Sequence, residues 1–341
     1  MAVIRIVTQN DLEGLVALAN TVDGYMTTMP NNAAAMQERI SQALASVDNT
    51  VNMPGSEVYL FVLEEQKQII GISAVYAAVG IDRPFYSYRV THLSTVSPDV
   101  GVRNEIDILN LVNDFNGCSE MATLFLHQEK RGGGRGVLLS YARLMFMAAH
   151  RARFSDRVMA EIRGWTDEEG HSPFWEAVGK QFFKMDMGEA DKRSGEEFQF
   201  MADLMPKFPI YIDLLPQSAQ DVIAQPHNSA KGALKMLQHQ GFRYQGQVDI
   251  FDAGICVEAW LDDLKLMREV RHLSLQSTTA INTENKEYAL VANPSLEQFR
   301  VVNTSISYAA NWNDAQSIFV APHILDDLHL SEGEQALVYR L

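Results

Sequence analysis

The feature that most constrains this chain is a glycine-rich segment between a short apolar run and a helical pattern. The apolar run is MATLFL at residues 121–126, and the segment RGGGRG occupies residues 131–136. After the last glycine, Val137, Tyr141 and Leu144 recur at helical spacing. The apolar run has the length of a buried strand, so the glycines are predicted to form a strand-to-helix turn. A chain built around such a unit combines strands and helices in one fold.

The segments on either side of this turn predict more strands and several helices. A strand at residues 3–7 precedes a helix capped by Asn10 or Asp11, and a second helix begins after residues 30–32. The later expectations are strands at 58–63 and 69–79, a hairpin within 85–96, a strand at 158–162, a helix at 174–183, an irregular region at 188–216, a helix at 230–240 closed by Gly241, and strands at 242–244 and 248–251. This order predicts a mixed fold of helices and strands, α/β in the broad sense and α+β in the narrower classification.

A change of composition near the C-terminus suggests a domain boundary. Residues 275–287 are rich in Ser, Thr and Asn and poor in large apolar side chains, which predicts a linker. Residues 1–274 are then one large domain. Residues 288–341 contain short β-like runs separated by turns and are predicted to form a small β-rich C-terminal module.

Bulk properties disfavour several classes of partner. The 341-residue chain is 47% hydrophobic and has a formal charge of −15, so phosphate backbones and anionic membranes would on average be repelled. The most apolar helical stretch is shorter than the ~20 residues of a membrane span. Cys118 and Cys256 lie far apart, and the nine histidines show no metal-ligand spacing. We therefore expect a soluble cytoplasmic protein without a metal, a nucleic-acid partner or a membrane partner.

The glycine-rich segment has the chemistry of a phosphate site. Without Cβ atoms, backbone amides can approach a phosphate closely, and the following helix adds its free N-terminal donors. Arg131, Gly134 and Gly136 fit the pattern R-x-x-G-x-G, which resembles the pyrophosphate-binding motif of the GNAT acyltransferases. The alternatives are a flexible surface loop and a Rossmann turn, although the latter normally follows the first strand. A Walker A loop is excluded, because Val137 stands where that motif needs Lys.

Longer strings spread along the chain resemble the arginine N-succinyltransferase family. They are YRV (88–90), ATLFL (122–126), RLMFMAA (143–149), AEIRG (160–164), SPFW (172–175), LMPK (204–207), QDVI (220–223), GFRY (241–244), DIFD (249–252) and FRVV (299–302). The resemblance implies a GNAT-like mixed, mostly antiparallel sheet flanked by helices. It also implies succinyl-CoA as donor and the α-amino group of L-arginine as acceptor, in the first step of arginine degradation. An ornithine-preferring enzyme and a non-catalytic acyl-CoA-binding subunit of a hetero-oligomer remain alternatives.

The same resemblance implies roles for particular residues. Leu124 matches a position assigned to succinyl-CoA binding, and His227 matches the family's proton-transfer histidine. The expected acyl-CoA site also includes the two residues after Leu124 and all residues of the glycine-rich segment: Phe125, Leu126, Arg131, Gly132, Gly133, Gly134, Arg135 and Gly136. A histidine suits proton transfer from an α-amine. The pKa of the amine is about 8, and the pKa of histidine is near neutrality, so the ring can take the proton and release it again.

Charge complementarity suggests further candidates for the substrates. Arg89 and Arg163 could bind the succinyl carboxylate through a guanidinium fork, while Glu120 and Glu161 could bind the guanidinium of arginine. No spacing of Ser, His and Asp indicates a covalent acyl-enzyme, so direct transfer in a ternary complex is the simpler expectation. Paired chains in relatives lead us to expect a homo- or hetero-oligomer.

Overall fold

A computed structural model of the chain contains one long sheet. It describes residues 1–22, 26, 28–48, 50–196, 199–279, 287–309 and 311–341. The strands are β1 Ala2–Ile6, β2 Val58–Glu65, β3 Gln68–Tyr76, β4 Ser87–Ser97, β5 Val102–Val112, β6 Ser119–Leu126, β7 Arg157–Glu161, β8 Ile210–Tyr211, β9 Arg243–Val248, β10 Ile255–Trp260, β11 Arg271–Ser277, β12 Glu287–Ala292, β13 Arg300–Ile306, β14 Ser317–Val320 and β15 Gln335–Arg340. The helices are α1 Leu12–Ala19, α2 Ala33–Asp48, α3 Arg135–Ala149, α4 Pro173–Ala177, α5 Gly179–Phe183, α6 Met187–Glu196, α7 Gln199–Leu204, α8 Gln217–Gln220, α9 Lys231–Gln240, α10 Lys265–Glu269 and α11 Pro322–Leu328.

The strand order confirms the predicted fold class. Across the sheet it is β14-β11-β15-β12-β13-β1-β2-β3-β6-β7-β10-β9-β4-β5-β8. The pairs β6–β7 and β11–β14 are parallel, and the other pairs among the described residues are antiparallel. The sheet is therefore mixed and mostly antiparallel, as expected.

Helices cover both faces of the central strands. On one face, the ring of Phe146 in α3 lies 5.1 Å from that of Phe61 and 5.0 Å from that of Phe299, centroid to centroid. On the other face, buried side chains of α1 and α2, including Leu15 and Ile40, pack with strands β2 and β3. In the described part of the chain, no helix combines the length and the apolar content needed to span a bilayer.

Local sequence signals placed several helix ends correctly. Asn32 caps α2, because its Oδ1 accepts a hydrogen bond from the amide of Ala35 at 2.8 Å. Gly241 closes α9 with φ +118°, a left-handed conformation that favours glycine.

Two expectations about elements were wrong, and one strand was missed. The hairpin expected within 85–96 is a single strand, β4, which pairs with β5. The region 188–216 was expected to be irregular, but it contains α6 and α7. The α6 sequence MGEADKRSGE has almost no apolar side chains, so it shows no helical periodicity. Strand β10 had not been expected at all.

The C-terminal strands continue the central sheet. β13 pairs with β1, with Val3 opposite Val302. The boundary expected after residue 274 falls within β11, so residues 275–277 are strand rather than linker. Leu273 and Leu275 are buried there, and this alternation of apolar side chains outweighs the polar composition around it. Residues 280–286 of the expected linker lie outside the described residues. The division into a large domain and a C-terminal module remains a prediction.

Candidate active site

Strands β6 and β7 separate soon after they begin to pair. Ser119 lies opposite Val158 and Glu120 lies opposite Met159, and the parallel register covers only these two pairs. β6 then continues for six more residues, to Leu126. The two strands therefore diverge beyond Glu120 and leave a gap along the second half of β6.

A β-bulge accompanies the divergence. The register between β6 and β3 shifts between Ile72 and Ala74, so Thr123 and Leu124 lie together opposite Ser73. Thr123 has φ +48°, which is unusual for a β-branched residue. Because a bulge bends its strand, it turns the following residues away from β7. Those residues, predicted to contact acyl-CoA, are half-buried: Leu124, Phe125 and Leu126.

The glycine-rich segment forms an exposed turn at the start of α3. Gly132, Gly133 and Gly134 have φ values of +99°, +59° and +76°, so three successive residues need the freedom of glycine. Within the described residues, no hydrogen bond is donated by the amides of these glycines. Their amides and the first turn of α3 are thus free to donate hydrogen bonds to an anion.

The charged residues of the turn differ in their availability. Arg131 is exposed, and Gly136 lies in the first turn of α3. Arg135 is half-buried, and its Nη2 lies 2.8 Å from Oε1 of Glu65, which already neutralises part of its charge. Arg131 is therefore the better placed of the two arginines to meet a phosphate.

His227 lies at the mouth of the gap between β6 and β7. In an extended strand, the N–H and C=O of one residue point to the same edge, and those of the next residue point to the opposite edge. The amide of Ile162 donates to the carbonyl of Ile255 in β10 at 3.1 Å, so the carbonyl of the next residue, Arg163, points toward β6. The amide of His227 donates to that carbonyl at 2.8 Å. His227 is thus held on the side of β7 that faces β6.

The imidazole of His227 is oriented and largely neutral at pH 7. Its Nδ1 lies 2.7 Å from Oγ of Ser229 and 3.3 Å from the amide of that residue. Partial burial, reinforced by the charge of Arg163, lowers the pKa of His227 below its ordinary value. When the Nδ1–H of this ring donates to Oγ of Ser229, Nε2 carries the lone pair and can accept a proton from a ligand.

An acidic cleft opens where β6 and β7 part. Its volume is about 440 Å³, and its wall includes the carboxylates of Glu120, Glu161, Asp191 and Asp249. Aromatic residues complete part of the lining: Tyr76, Phe85, Tyr86 and Phe251. Glu120 and Glu161, which sequence reasoning selected, are therefore brought together.

These carboxylates repel one another in a poorly hydrated site. Burial raises the pKa of Glu120 to about 7, although the charges of Arg39 and Arg143 oppose the shift. Burial, with the neighbouring charge of Asp249 as the next cause, raises the pKa of Glu161 well above its usual value. Burial and the charge of Asp252 raise the pKa of Asp249 to about 8. A bound cation would relieve this repulsion.

The two arginines proposed for the succinyl carboxylate are separated. Arg89 has its Nη2 2.6 Å from Oδ2 of Asp114 and does not line the cleft. Arg163 is exposed and adjoins His227. Sequence reasoning also missed Asp191 and Asp249 as cleft residues. The string DIFD at 249–252 contains the only signal for Asp249, and nothing in the sequence links it to Glu120.

Comparison with known proteins assigns the family. Residues 2–266 match the family model described as Arginine N-succinyltransferase beta subunit. The chain belongs to the arginine N-succinyltransferase family. Arginine N-succinyltransferase subunit beta of Pseudomonas aeruginosa is 40% identical over 335 residues, which cover 97% of this chain and 96% of that protein. Arginine N-succinyltransferase of Escherichia coli is 39% identical over 345 residues, covering 100% and 98%.

A solved structure extends the family match to the C-terminal strands. The arginine/ornithine succinyltransferase subunit AI from Pseudomonas aeruginosa superposes with a TM-score of 0.89 at 30% identity, covering 100% of this chain and 98% of that one. The family model ends at residue 266, before β11. Strands β11 to β15 are therefore part of the fold that this chain shares with that solved structure.

Proposed function

We propose that this chain transfers the succinyl group of succinyl-CoA to the α-amino group of L-arginine, the first step of a succinyl-dependent arginine degradation route. The observation that carries the proposal is that an acidic cleft opens at Glu120, where β6 and β7 part. A cationic acceptor in that cleft would lie beside an acyl donor in the gap. The names of the two full-length relatives support the choice of succinyl donor and arginine acceptor.

The acyl-CoA would bind with its diphosphate at the glycine turn. The exposed amides of Gly132, Gly133 and Gly134 and the side chain of Arg131 would hold the phosphates. The pantetheine arm would then run along Leu124 to Leu126, where β6 has left β7. Arg163, beside His227, is our choice for the succinyl carboxylate.

His227 would move the proton in the transfer step. The neutral α-amine nitrogen attacks the thioester carbonyl carbon, the C–N bond forms, and the C–S bond breaks. The amine loses one proton, and the departing thiolate gains one. With its lowered pKa, neutral His227 is ready to accept that proton and to pass it to the sulfur.

The acceptor's guanidinium would bind in the acidic cleft. Glu120, Glu161 and Asp249 offer carboxylate oxygens, and a guanidinium matches such acceptors with several donors in a plane. The ring of Tyr86 also lines the cleft and would add cation–π attraction for the guanidinium.

Ornithine is a second candidate acceptor, because the similar solved structure is named an arginine/ornithine succinyltransferase subunit. That name and the family description also support a homo- or hetero-oligomer, in which this chain could be a non-catalytic acyl-CoA-binding subunit. We further propose a cytoplasmic location, which suits the free thiols of Cys118 and Cys256.

The test combines an acceptor panel with one substitution. The purified chain is offered arginine, ornithine and lysine with succinyl-CoA or acetyl-CoA, and products are identified by mass and NMR. We expect α-N-succinylarginine to form fastest. His227→Ala should lower kcat by about 100-fold or more while CoA affinity is retained, since general acid–base catalysis contributes about that much.

His239→Ala is the matched control, because His239 is exposed on α9. Faster turnover of ornithine would favour the second candidate. Normal CoA binding with no turnover of any acceptor would instead identify a binding subunit.

A further inference from the structure

Arg143 is a buried cation beneath the bulge of β6. It lies in the middle of α3 and is 1% exposed. Its Nη1 donates to the carbonyl of Ala122 at 3.1 Å, its Nε donates to the carbonyl of Ser140 at 3.2 Å, and its Nη2 donates to Oγ of Ser140 at 3.2 Å. No carboxylate lies within ion-pair distance of Arg143 in the described parts of the chain. An arginine buried in this way is costly, so it calls for a functional or structural reason.

The contact with Ala122 comes directly before the strained residue of the bulge. Thr123 adopts φ +48° and is 7% exposed. Its hydroxyl has no hydrogen-bond partner among the described residues. A bulge leaves one residue out of the ladder, and a β-branched residue resists positive φ, so surrounding contacts must impose this conformation. The guanidinium of Arg143 supplies such a contact.

We propose that Arg143 is a positioning residue which, by donating to the carbonyl of Ala122, holds the bulge at Thr123 and keeps the gap between β6 and β7 open for acyl-CoA. This inference rests on the proposed function, because the gap is the proposed acyl-CoA channel. The planar guanidinium of Arg143 is essential, because it donates to Ala122 in β6 and to Ser140 in α3 at the same time. The charge of Arg143 also acts on Glu120, so the same cation contacts the bulge beside the gap and influences a carboxyl of the acidic cleft.

Arg143→Met and Arg143→Lys test the role of the fork. With Arg143→Met, succinyl-CoA affinity measured by calorimetry should fall about tenfold or more, as expected for loss of a charged hydrogen bond. Arg143→Lys should also lose affinity, because one ammonium group cannot replace three contacts.

Thr123→Gly separates positioning from simple packing. Glycine adopts positive φ without strain, so adding Thr123→Gly to either Arg143 variant should restore most of the lost affinity. A residue that only filled the core would show no such rescue. Arg153→Met is the control: Arg153 also donates to a carbonyl, that of Ser46 at 3.2 Å, but lies away from the bulge. It should leave succinyl-CoA affinity unchanged.

Amide hydrogen exchange of the ligand-free protein tests the positioning role of Arg143 without relying on acyl-CoA binding. Amides of residues 121–126 should change their exchange in Arg143→Met and return toward wild type in the double variant. The inference is overturned if a folded Arg143→Met or Arg143→Lys keeps wild-type exchange there, or if Thr123→Gly restores neither exchange nor affinity. If the wild type binds no CoA but exchange follows this pattern, the proposed function fails and the positioning role stands. If Arg143→Met does not fold, the Arg143→Lys pair gives the same comparison.

Discussion

The acidic cleft disfavours the charged form of its carboxyl groups when no cation is bound. These groups belong to Glu120, Glu161 and Asp249. Burial is the largest cause of the raised pKa of all three. In the free protein, these carboxyls therefore bind protons more tightly than they would in the unfolded chain. By linkage, their charge costs stability as the pH rises through the raised values, and a bound guanidinium offsets that cost.

The pH dependence of acceptor binding follows from this arrangement. As the pH falls from about 8 to about 6, Asp249 and Glu120 take up protons, because their pKa values are about 8 and about 7. The guanidinium of arginine stays charged throughout. We therefore expect the acceptor KM, expressed for the neutral α-amine form, to rise as the pH falls, in steady-state assays at saturating succinyl-CoA. The free protein should show the reverse trend, with Tm rising as the pH falls through the same window.

Glu161→Gln should flatten both trends and raise the acceptor KM about tenfold at pH 8, the effect of losing one charge-assisted hydrogen bond. Glu297→Gln is the control, because Glu297 is exposed and outside the cleft. An acceptor KM that is independent of pH would contradict the proposed binding mode.

At the scale of elements, the turn between β6 and α3 is limited by backbone geometry. Gly134 combines a φ of +76° with a close neighbour, because a Cβ there would lie 3.0 Å from Nδ2 of Asn303. Both features oppose any side chain at this position. The amides of the turn therefore keep their arrangement only while residue 134 is glycine.

Gly134→Ala is expected to weaken CoA binding about tenfold, since a non-glycine residue in this region costs about 1–2 kcal/mol and the turn would rearrange to avoid it. Calorimetric titration with CoA checks the result. Gly101→Ala is a matched control with φ +64° and open space around its Cβ position, at the remote tip of the β4–β5 hairpin. It should incur similar backbone strain without changing CoA affinity. Equal affinity losses in the two variants would refute a specific role for the turn.

At the scale of the whole molecule, the C-terminal strands help to build the core beneath α3. Phe299 is fully buried next to β13, and its ring lies 5.0 Å from that of Phe146 and 6.1 Å from that of Phe61. The pairing of β13 with β1 adds backbone contacts to the same region. Folding of the acyltransferase core and of the C-terminal strands should therefore be coupled.

Phe299→Ala should lower the free energy of unfolding by about 3–5 kcal/mol, the usual cost of removing a buried phenylalanine. Phe208→Ala is the control, because Phe208 is 83% exposed and its loss should change stability by about 0.5 kcal/mol or less. Denaturant unfolding monitored by circular dichroism gives both values. A loss near zero for Phe299→Ala would show that the C-terminal strands contribute little to the core.

Local signals determined much of this protein. The glycine turn, the cap at Asn32 and the end of α9 at Gly241 follow from conformations that few residues adopt, so short segments of sequence were enough. Apolar periodicity likewise located most central strands and α3, because burying one face imposes the same spacing wherever the element lies. The family resemblance supplied Leu124 and His227, whose roles remain predictions.

Only the tertiary structure brought Glu120, Glu161 and Asp249 into one cleft, placed Arg143 beneath the bulge at Thr123 and joined β13 to β1. These contacts connect segments far apart in the chain, and no local pattern specifies which distant carboxylate or strand will be the neighbour. The polar helix α6 was not predicted, because its sequence has no apolar periodicity and its folding depends on the surface against which it packs. Local geometry can be inferred from neighbouring residues, but the convergence of charges depends on how the whole chain packs.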